Sequence, residues 1–256
     1  MANIVLGYSD RVVLGTVTAS TELPTLPAIN LQQPFLNPNR WRSTANTATI
    51  DVNFGASYTI GVIALLGSNL TAAATFRLRL SANSALTSPT YDTGVSQINA
   101  GVDPTYDHLI HVLPTSQAGQ YLRLELTDSS LPYIEAGRLF AGIKFQPVHN
   151  FAYDYKRTTL DSVRMVDSEG GQSWVEVGVQ KEEVRLHFEA FTDSESQGDL
   201  TAIRRLGRHK DILAILNPAS TNLGRDSVFG QITENLSDQH AGYNRHSFDL
   251  VIVERK

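Results

Sequence analysis

Arg40-Trp41-Arg42-Ser43, Ile50-Asp51-Val52-Asn53-Phe54-Gly55 and Ile60-Gly61-Val62-Ile63-Ala64-Leu65-Leu66 are the segments whose reading decides the fold. In the middle one Ile50, Val52 and Phe54 point one way, and Thr49, Asp51 and Asn53 the other. Side chains alternate across a strand with a period of two, so this is a half-buried strand of a sandwich or barrel. Gly55 predicts a turn that ends it, and the apolar run 60–66 predicts a second, more fully buried strand.

The same alternation continues downstream. Phe76, Leu78 and Leu80 alternate with Arg77, Arg79 and Ser81, and Leu122, Leu124 and Leu126 with Arg123, Glu125 and Thr127. Short strands separated by Gly, Asn and Ser turns predict an antiparallel sandwich. Ahead of it, residues 1–17 read as strand, turn, strand, built on 4–6 and 12–14. Residues 1–20 can complete the first sandwich or pair elsewhere by edge addition. Pro24, Pro27, Pro34 and Pro38 crowd residues 20–39; proline fixes φ and removes a donor, so this stretch is expected to be an ordered extended loop.

Gln146-Pro147-Val148-His149-Asn150 reads as a linker, giving two domains, 1–145 and 146–256. The second holds strands at 162–166, 174–180 and 183–191, with a hairpin tip at 167–171. Thr192 and Glu195 have capping-box spacing and open one helix over about 193–208, followed by strands at 212–216, 228–232 and 247–253. The expected fold class is therefore mainly β, a β-sandwich followed by a β-domain with one α-helix.

Composition narrows the function classes. Of 256 residues 41% are hydrophobic and 18% charged, the balance of a folded globular chain. The net charge of −5, with no basic run, argues against nucleic acid as a partner. There is no cysteine, so disulfides and thiolate metal sites are excluded. The N-terminus has no signal-peptide pattern and no apolar run is long enough for membrane insertion, so synthesis in the cytoplasm is expected. No Gly-x-x-x-x-Gly-Lys, Gly-x-Ser-x-Gly or His-Glu-x-x-His motif occurs; no enzyme activity and no cofactor is expected.

Trp41-Arg42-Ser43 and the 50–55 strand end resemble the discoidin-like (galactose-binding-like) sandwich, whose members carry a Trp-x-Ser before an Asp-Leu-Gly-type strand end. Animal members usually carry a disulfide that this chain lacks. The order of segments in the second half resembles the β-sandwich-plus-helix domain of tailed-bacteriophage distal tail and baseplate proteins. These segments are Phe188-Glu189-Ala190-Phe191, the capped helix, 212–218, 229–232 and 243–252. The resemblance covers about 30–253. It implies a structural virion protein of the tail tip, forming a homo-oligomeric ring between tail tube and hub, with tail tube, hub and tape measure as partners. The alternative is a glycan-binding adhesin module that recognises host surface sugars. A weaker one is a non-catalytic pair of domains from a carbohydrate-processing complex.

Tyr106, Asp107 and His108 are the candidate glycan contacts, because sugar sites pair an aromatic face with polar groups; Tyr91 and Tyr133 are further loop-tip candidates. Trp41 is read as core in preference to a sugar platform, as the resemblance also implies. Arg204, Arg205 and Arg208 form the candidate subunit interface, with a solvated helix face as the rival reading. Asp51, Asp103, Asp107 and Asp128 could supply calcium ligands, but no dense acidic loop supports it. His108 and His111 are three apart, on opposite faces of a strand, so no metal is expected there.

Overall fold

The structure is a computed structural model that describes residues 2–34, 36, 39–98 and 108–256. In chain order the strands are β1 (Val5–Tyr8), β2 (Thr16–Ala19), β3 (Trp41–Arg42), β4 (Thr47–Leu66), β5 (Thr75–Ser81), β6 (Tyr91–Asp92), β7 (Ser96–Gln97), β8 (Leu109–Thr127), β9 (Glu135–Ala136), β10 (Arg138–Phe145), β11 (Lys156–Leu160), β12 (Arg164–Asp167), β13 (Ser173–Glu176), β14 (Lys181–Phe191), β15 (Asp211–Ile215), β16 (Ser227–Ile232), β17 (Asp238–Gly242) and β18 (Arg245–Glu254). The helical segments are α1 (Asp193–Glu195) and α2 (Thr201–Leu206), joined by a π-turn over Ser196–Leu200. The chain is mainly β and antiparallel. It divides into two units, Met1–Val148 with Asp211–Ser227, and His149–Lys210 with Val228–Lys256.

The first unit is organised by one long strand pair. β4 and β8 run antiparallel from Thr47↔Thr127 to Leu65↔Leu109, with the register slipping between Asn53 and Tyr58 and again between Ile60 and Val62. Gly55 therefore does not end a strand, as the sequence predicted. At φ +80° it sits in the first slip, and its N–H donates to Asn53 Oδ1 at 2.9 Å. Between the pairs Asn53↔Tyr121 and Tyr58↔Gly119 β4 carries three extra residues, and such a bulge bends the strand. Before the slip β4 has β2 as its other neighbour, at Thr16↔Asn53 through Ala19↔Ile50; after it, β10, at Arg138↔Leu66 through Gly142↔Val62. A strand that changes partners at a bend turns a sandwich corner.

The core lies against this pair. Ile50, Val52 and Phe54 of β4 pack in one cluster with Leu122, Leu124 and Leu126 of β8 and with Leu78 and Leu80 of β5. Each is nearly inaccessible, and burial of such side chains stabilises by about 1.5–3 kcal/mol apiece. Trp41 lies fully inside this cluster.

Residues 1–20 pair inside the first unit. β1 lies between β10 and β15, with Leu6 opposite both Phe145 and Ala214, and β2 pairs with β4. The pairing of β1 with β15 is why Asp211–Ser227 belongs to the first unit, whereas a division at 145 puts it in the second. Residues Val12–Leu14 form a 3-10 turn in place of the expected strand, because Asp10 Oδ1 accepts the Val12 N–H at 3.0 Å and starts a turn. A second 3-10 turn, Ala28–Gln32, interrupts the proline-rich stretch read as extended. Glu22 accepts the Ala28 N–H at 2.7 Å, supplying the cap that the local sequence lacks. One buried charge cluster completes the unit: Arg138 donates to Asp211 Oδ2 at 2.6 Å and to Asp10 Oδ2 at 2.9 Å.

In the second unit β18 pairs with β14, β16 and β17, and β11 extends the sheet beyond β14. β11 and β17 were not legible in the sequence. The expected strand at 162–166 is found shifted by about two residues, as β12, separated from β11 by a break at 161–163. Phe188 stacks on Phe191 at 4.8 Å between ring centroids, with Phe151 edge-on to Phe188 and Phe248 edge-on to Phe191. The Thr192–Glu195 capping box forms as expected. The helix is shorter and less regular than 193–208: Gly198 departs from helical dihedrals, and Gly207, at φ +67°, ends the helix after Leu206. β12 and β13 form a separate hairpin with Met165, Val166, Trp174 and Val175 exposed.

Candidate functional site

The first unit carries a pocket of about 280 Å³ at the start of β8. Its walls come from three places. His108 to Val112 supply one side, Phe76 of β5 with Ser96 and Gln97 of β7 the second, and the 218–224 loop the third. The pairing of Phe76 with Ser96 and of Thr75 with Gln97 brings the β7 side chains up beside β5. The loop is shaped by its own polar side chains: Asn217 Oδ1 accepts the Ala219 N–H, Ser220 Oγ accepts the Asn222 N–H and Asn222 Oδ1 accepts the Arg225 N–H. Asx- and Ser-turns of this kind replace ladder hydrogen bonds in irregular backbone.

His111 is the organising side chain. Its Nε2 lies 2.7 Å from the Tyr91 hydroxyl, and its ring meets Phe76 edge-on at 5.8 Å. Burial pushes the His111 pKa below its ordinary value and the Tyr91 phenol above its own, so both are neutral near pH 7. His108 accepts the Gly67 N–H at Nδ1, 3.3 Å away. The expectation that His108 and His111 lie on opposite strand faces fails, because His108 precedes β8 and both line this pocket. The pocket wall holds aromatic edges, two neutral amides (Gln97, Asn222), a hydroxyl (Ser96) and imidazoles. Among the described residues no carboxylate lines it.

Of the three candidate glycan contacts, His108 lines the pocket, while Tyr106 and Asp107 lie outside the described residues. Tyr91 is engaged with His111, and Tyr133 lies under the Arg42 guanidinium at 4.3 Å. The acidic candidates do not converge. Asp51, in mid β4, is held bidentate by Arg123 at 2.5 and 2.8 Å. Asp128, at the end of β8, accepts the N–H groups of Thr71 and Ser130 and the Thr71 hydroxyl. Burial opposes its charged form, yet these donors together draw its pKa below the usual carboxylate value. Asp103 and Asp107 lie outside the described residues. Among the basic candidates Arg205 and Arg208 are exposed, whereas Arg204 is half-buried, donates to Thr201 Oγ1 and lies 3.9 Å from Asp238. Sequence reasoning missed Ser96, Gln97 and Asn222, since only the sheet pairing and a loop more than a hundred residues away bring them to His108.

No family model and no curated protein matches the chain. Solved structures do. The chitosan-binding module 1 of a chitosanase/glucanase from Paenibacillus sp. IK-5 is 20% identical over 52% of this chain and 98% of its own, with a TM-score of 0.42. A family 32 carbohydrate-binding module from Clostridium perfringens, in complex with GalNAc-β-1,3-galactose, is 16% identical over 53% of this chain and 100% of its own, with a TM-score of 0.41. The family 32 module of NanJ from the same organism, in complex with galactose, is 13% identical over 53% and 98%, also at 0.41. All three are carbohydrate-binding modules and none is a tail protein. Likeness at this level does not carry a ligand over to this chain.

Proposed function

We propose that the first unit is a non-catalytic glycan-binding module that takes one sugar ring, or the tip of a chain, in the pocket at the start of β8. The observation that carries this is the lining. Aromatic edges from Phe76 and His111 stand beside Ser96, Gln97, His108 and Asn222, which supply both donors and acceptors. Small-ligand sites are built this way, apolar walls with a few convergent polar groups. The volume of about 280 Å³ lies just below the roughly 300–1,000 Å³ typical of ligand pockets, which suits a single ring better than a long oligosaccharide. Glycoside hydrolysis calls for a flanking pair of carboxyl groups, and none is in the described lining. The complexes with galactose and with GalNAc-β-1,3-galactose belong to the solved modules; the proposal for this chain rests on its own pocket.

A glycan array with the full chain tests the reading. Binding to a defined sugar class is expected, with a loss of at least tenfold in Gln97→Ala or His108→Ala and no change in Arg205→Ala. Absence of binding across the array, or binding untouched by both pocket variants, would sink it.

A second reading has its own support. The β12–β13 hairpin exposes Met165, Val166, Trp174 and Val175, with Val177 and Val179 beyond it. Clustered exposed apolar side chains mark protein–protein contact. Together with the segment order of the second half, this supports a subunit of a larger assembly such as a phage tail tip, in which the sandwich serves as a sugar-reading arm. Negative-stain microscopy would test it: rings are expected, and Trp174→Ser should dissolve them.

A further inference from the structure

The β17–β18 hairpin and the start of the helical segment bring together side chains that the glycan reading does not use. His240 and His246 face each other across the hairpin, as directly opposite residues do, with Cβ atoms about 4.5–5.5 Å apart. Asp193, at the beginning of α1, reaches the same spot. Ligand atoms of Asp193, His240 and His246 all lie within 4.8 Å of one another. We propose that Asp193, His240 and His246 bind a divalent transition-metal ion of the zinc class, with Asp238 orienting His246 from behind.

Four observations support the site. His246 Nδ1 is 2.8 Å from Asp238 Oδ1, which leaves Nε2 facing Asp193 Oδ1 at 3.0 Å. A metal-binding histidine is typically set in this way, one ring nitrogen held by a carboxylate and the other presented to the ion. Asp238 is itself fixed, accepting the Ser196 hydroxyl with Arg204 at 3.9 Å. Asp193 is held through its backbone: its N–H donates to Asn244 Oδ1 at 2.8 Å, beside the Thr192–Glu195 capping box. Finally, the separation of Nε2 and Oδ1 is close to the ligand–ligand edge of a tetrahedral zinc site, about 3.3–3.5 Å for bond lengths of ~2.0–2.2 Å.

His240 has to move. Its ring is stacked parallel to that of His246, 4.8 Å between centroids and 7° between planes. Two parallel rings cannot both aim an in-plane lone pair at one ion, so His240 turns on binding. It is exposed on the hairpin surface. Three protein ligands leave one or more positions to water. Two imidazoles and one carboxylate select Zn²⁺, Co²⁺ or Ni²⁺ over Ca²⁺, which asks for six to eight oxygens. The bound ion would tie the helical segment to the hairpin within the second unit.

Isothermal titration of the untagged, chelator-treated full chain with ZnCl₂ tests the site, with Co²⁺ absorption as a second readout. One ion per chain is expected. His240→Ala, at an exposed position, should weaken binding at least tenfold and leave the melting temperature of the metal-free protein unchanged. Asp238→Asn should weaken it by about 10–100-fold, the usual effect of removing such an orienting carboxylate. No saturable binding would overturn the proposal; in that case the cluster is a proton-bearing clasp between two carboxylates. Binding of equal strength in wild type, His240→Ala and Asp193→Asn would overturn it too, and assign the ion to other surface histidines.

Discussion

Replacing Arg138 with methionine should cost the first unit a large part of its stability. Arg138 is 4% accessible and joins two carboxylates, Asp10 and Asp211, whose side chains are 8% and 5% accessible. Each of its two charge-assisted bonds contributes about 1.5–3 kcal/mol, and breaking a buried ion pair by removing one partner costs about 3–5 kcal/mol, because the other charge is stranded. For a protein of this size 1 kcal/mol moves the melting temperature by about 2–4 °C, so a fall of roughly 6–20 °C is expected. Burial already pushes the Asp10 carboxyl up in the wild type, against the pull of Arg138. Without the arginine that rise is larger. A carboxyl whose folded pKa is raised destabilises when ionised and ceases to do so as pH falls below that value. The deficit of Arg138→Met should therefore be larger at pH 7.5 than at pH 5. The triple variant Asp10→Asn, Arg138→Met, Asp211→Asn should recover more than half of it, since no charge is left buried. Urea and thermal denaturation at the two pH values measure all of this. A deficit below 1 kcal/mol, or one that does not change with pH, would refute the electrostatic account and leave only packing.

Other expectations are quicker to check. His187 Nδ1 lies 2.5 Å from Asp249 Oδ1, and this hydrogen bond, outweighing a modest desolvation, raises the histidine pKa, with Glu189 and Asp154 adding to it. A raised histidine contributes stability that is fully present below about pH 6.5 and is lost as pH rises through the folded value. His187→Gln should therefore lower the urea midpoint at pH 5.5 more than at pH 8.5; an equal loss at both would contradict the assignment. Phe188→Ala, at a fully buried ring stacked on Phe191, should cost the second unit about 3–5 kcal/mol by denaturation. The two tryptophans differ sharply, Trp41 at 0% and Trp174 at 67% accessible. Trp174→Phe should leave a blue-shifted emission that iodide hardly quenches, and strong residual quenching would show Trp41 to be reachable.

What the sequence made legible follows from range. Period-two alternation found the central strands β4, β5 and β8, because burial on one face of a sheet is written in neighbouring residues. The capping box at Thr192 and Glu195 was legible for the same reason, being a contact three residues long. Gly55 was misread because glycine at positive φ serves turns and bulges alike, and only the continuation of the β4–β8 pairing decides between them. β17 was invisible, since Asp238-Gln239-His240-Ala241-Gly242 has no apolar face; its strand character comes from pairing with β18. The site residues divide in the same way. His108 stood out beside a tyrosine and an aspartate, but Gln97 and Asn222 are ordinary until the sheet and the 218–224 loop bring them together. Asp193 and His246 are 53 residues apart and carry no local signal of their meeting.

The place of β1 between β10 and β15 has a consequence for biosynthesis. The first unit needs residues 211–215 to close the far edge of β1, so its sheet is incomplete when residue 148 leaves the ribosome. At about 5–20 residues per second, residues 149–210 take roughly 3–12 s to make. During that interval β1 presents an open edge with Val5 and Leu6, a ready template for pairing with another nascent chain. Crowded polysomes and fast expression should therefore favour misassembly through this edge. A circular permutant in which 211–227 is translated ahead of β1 should fold with a higher soluble yield.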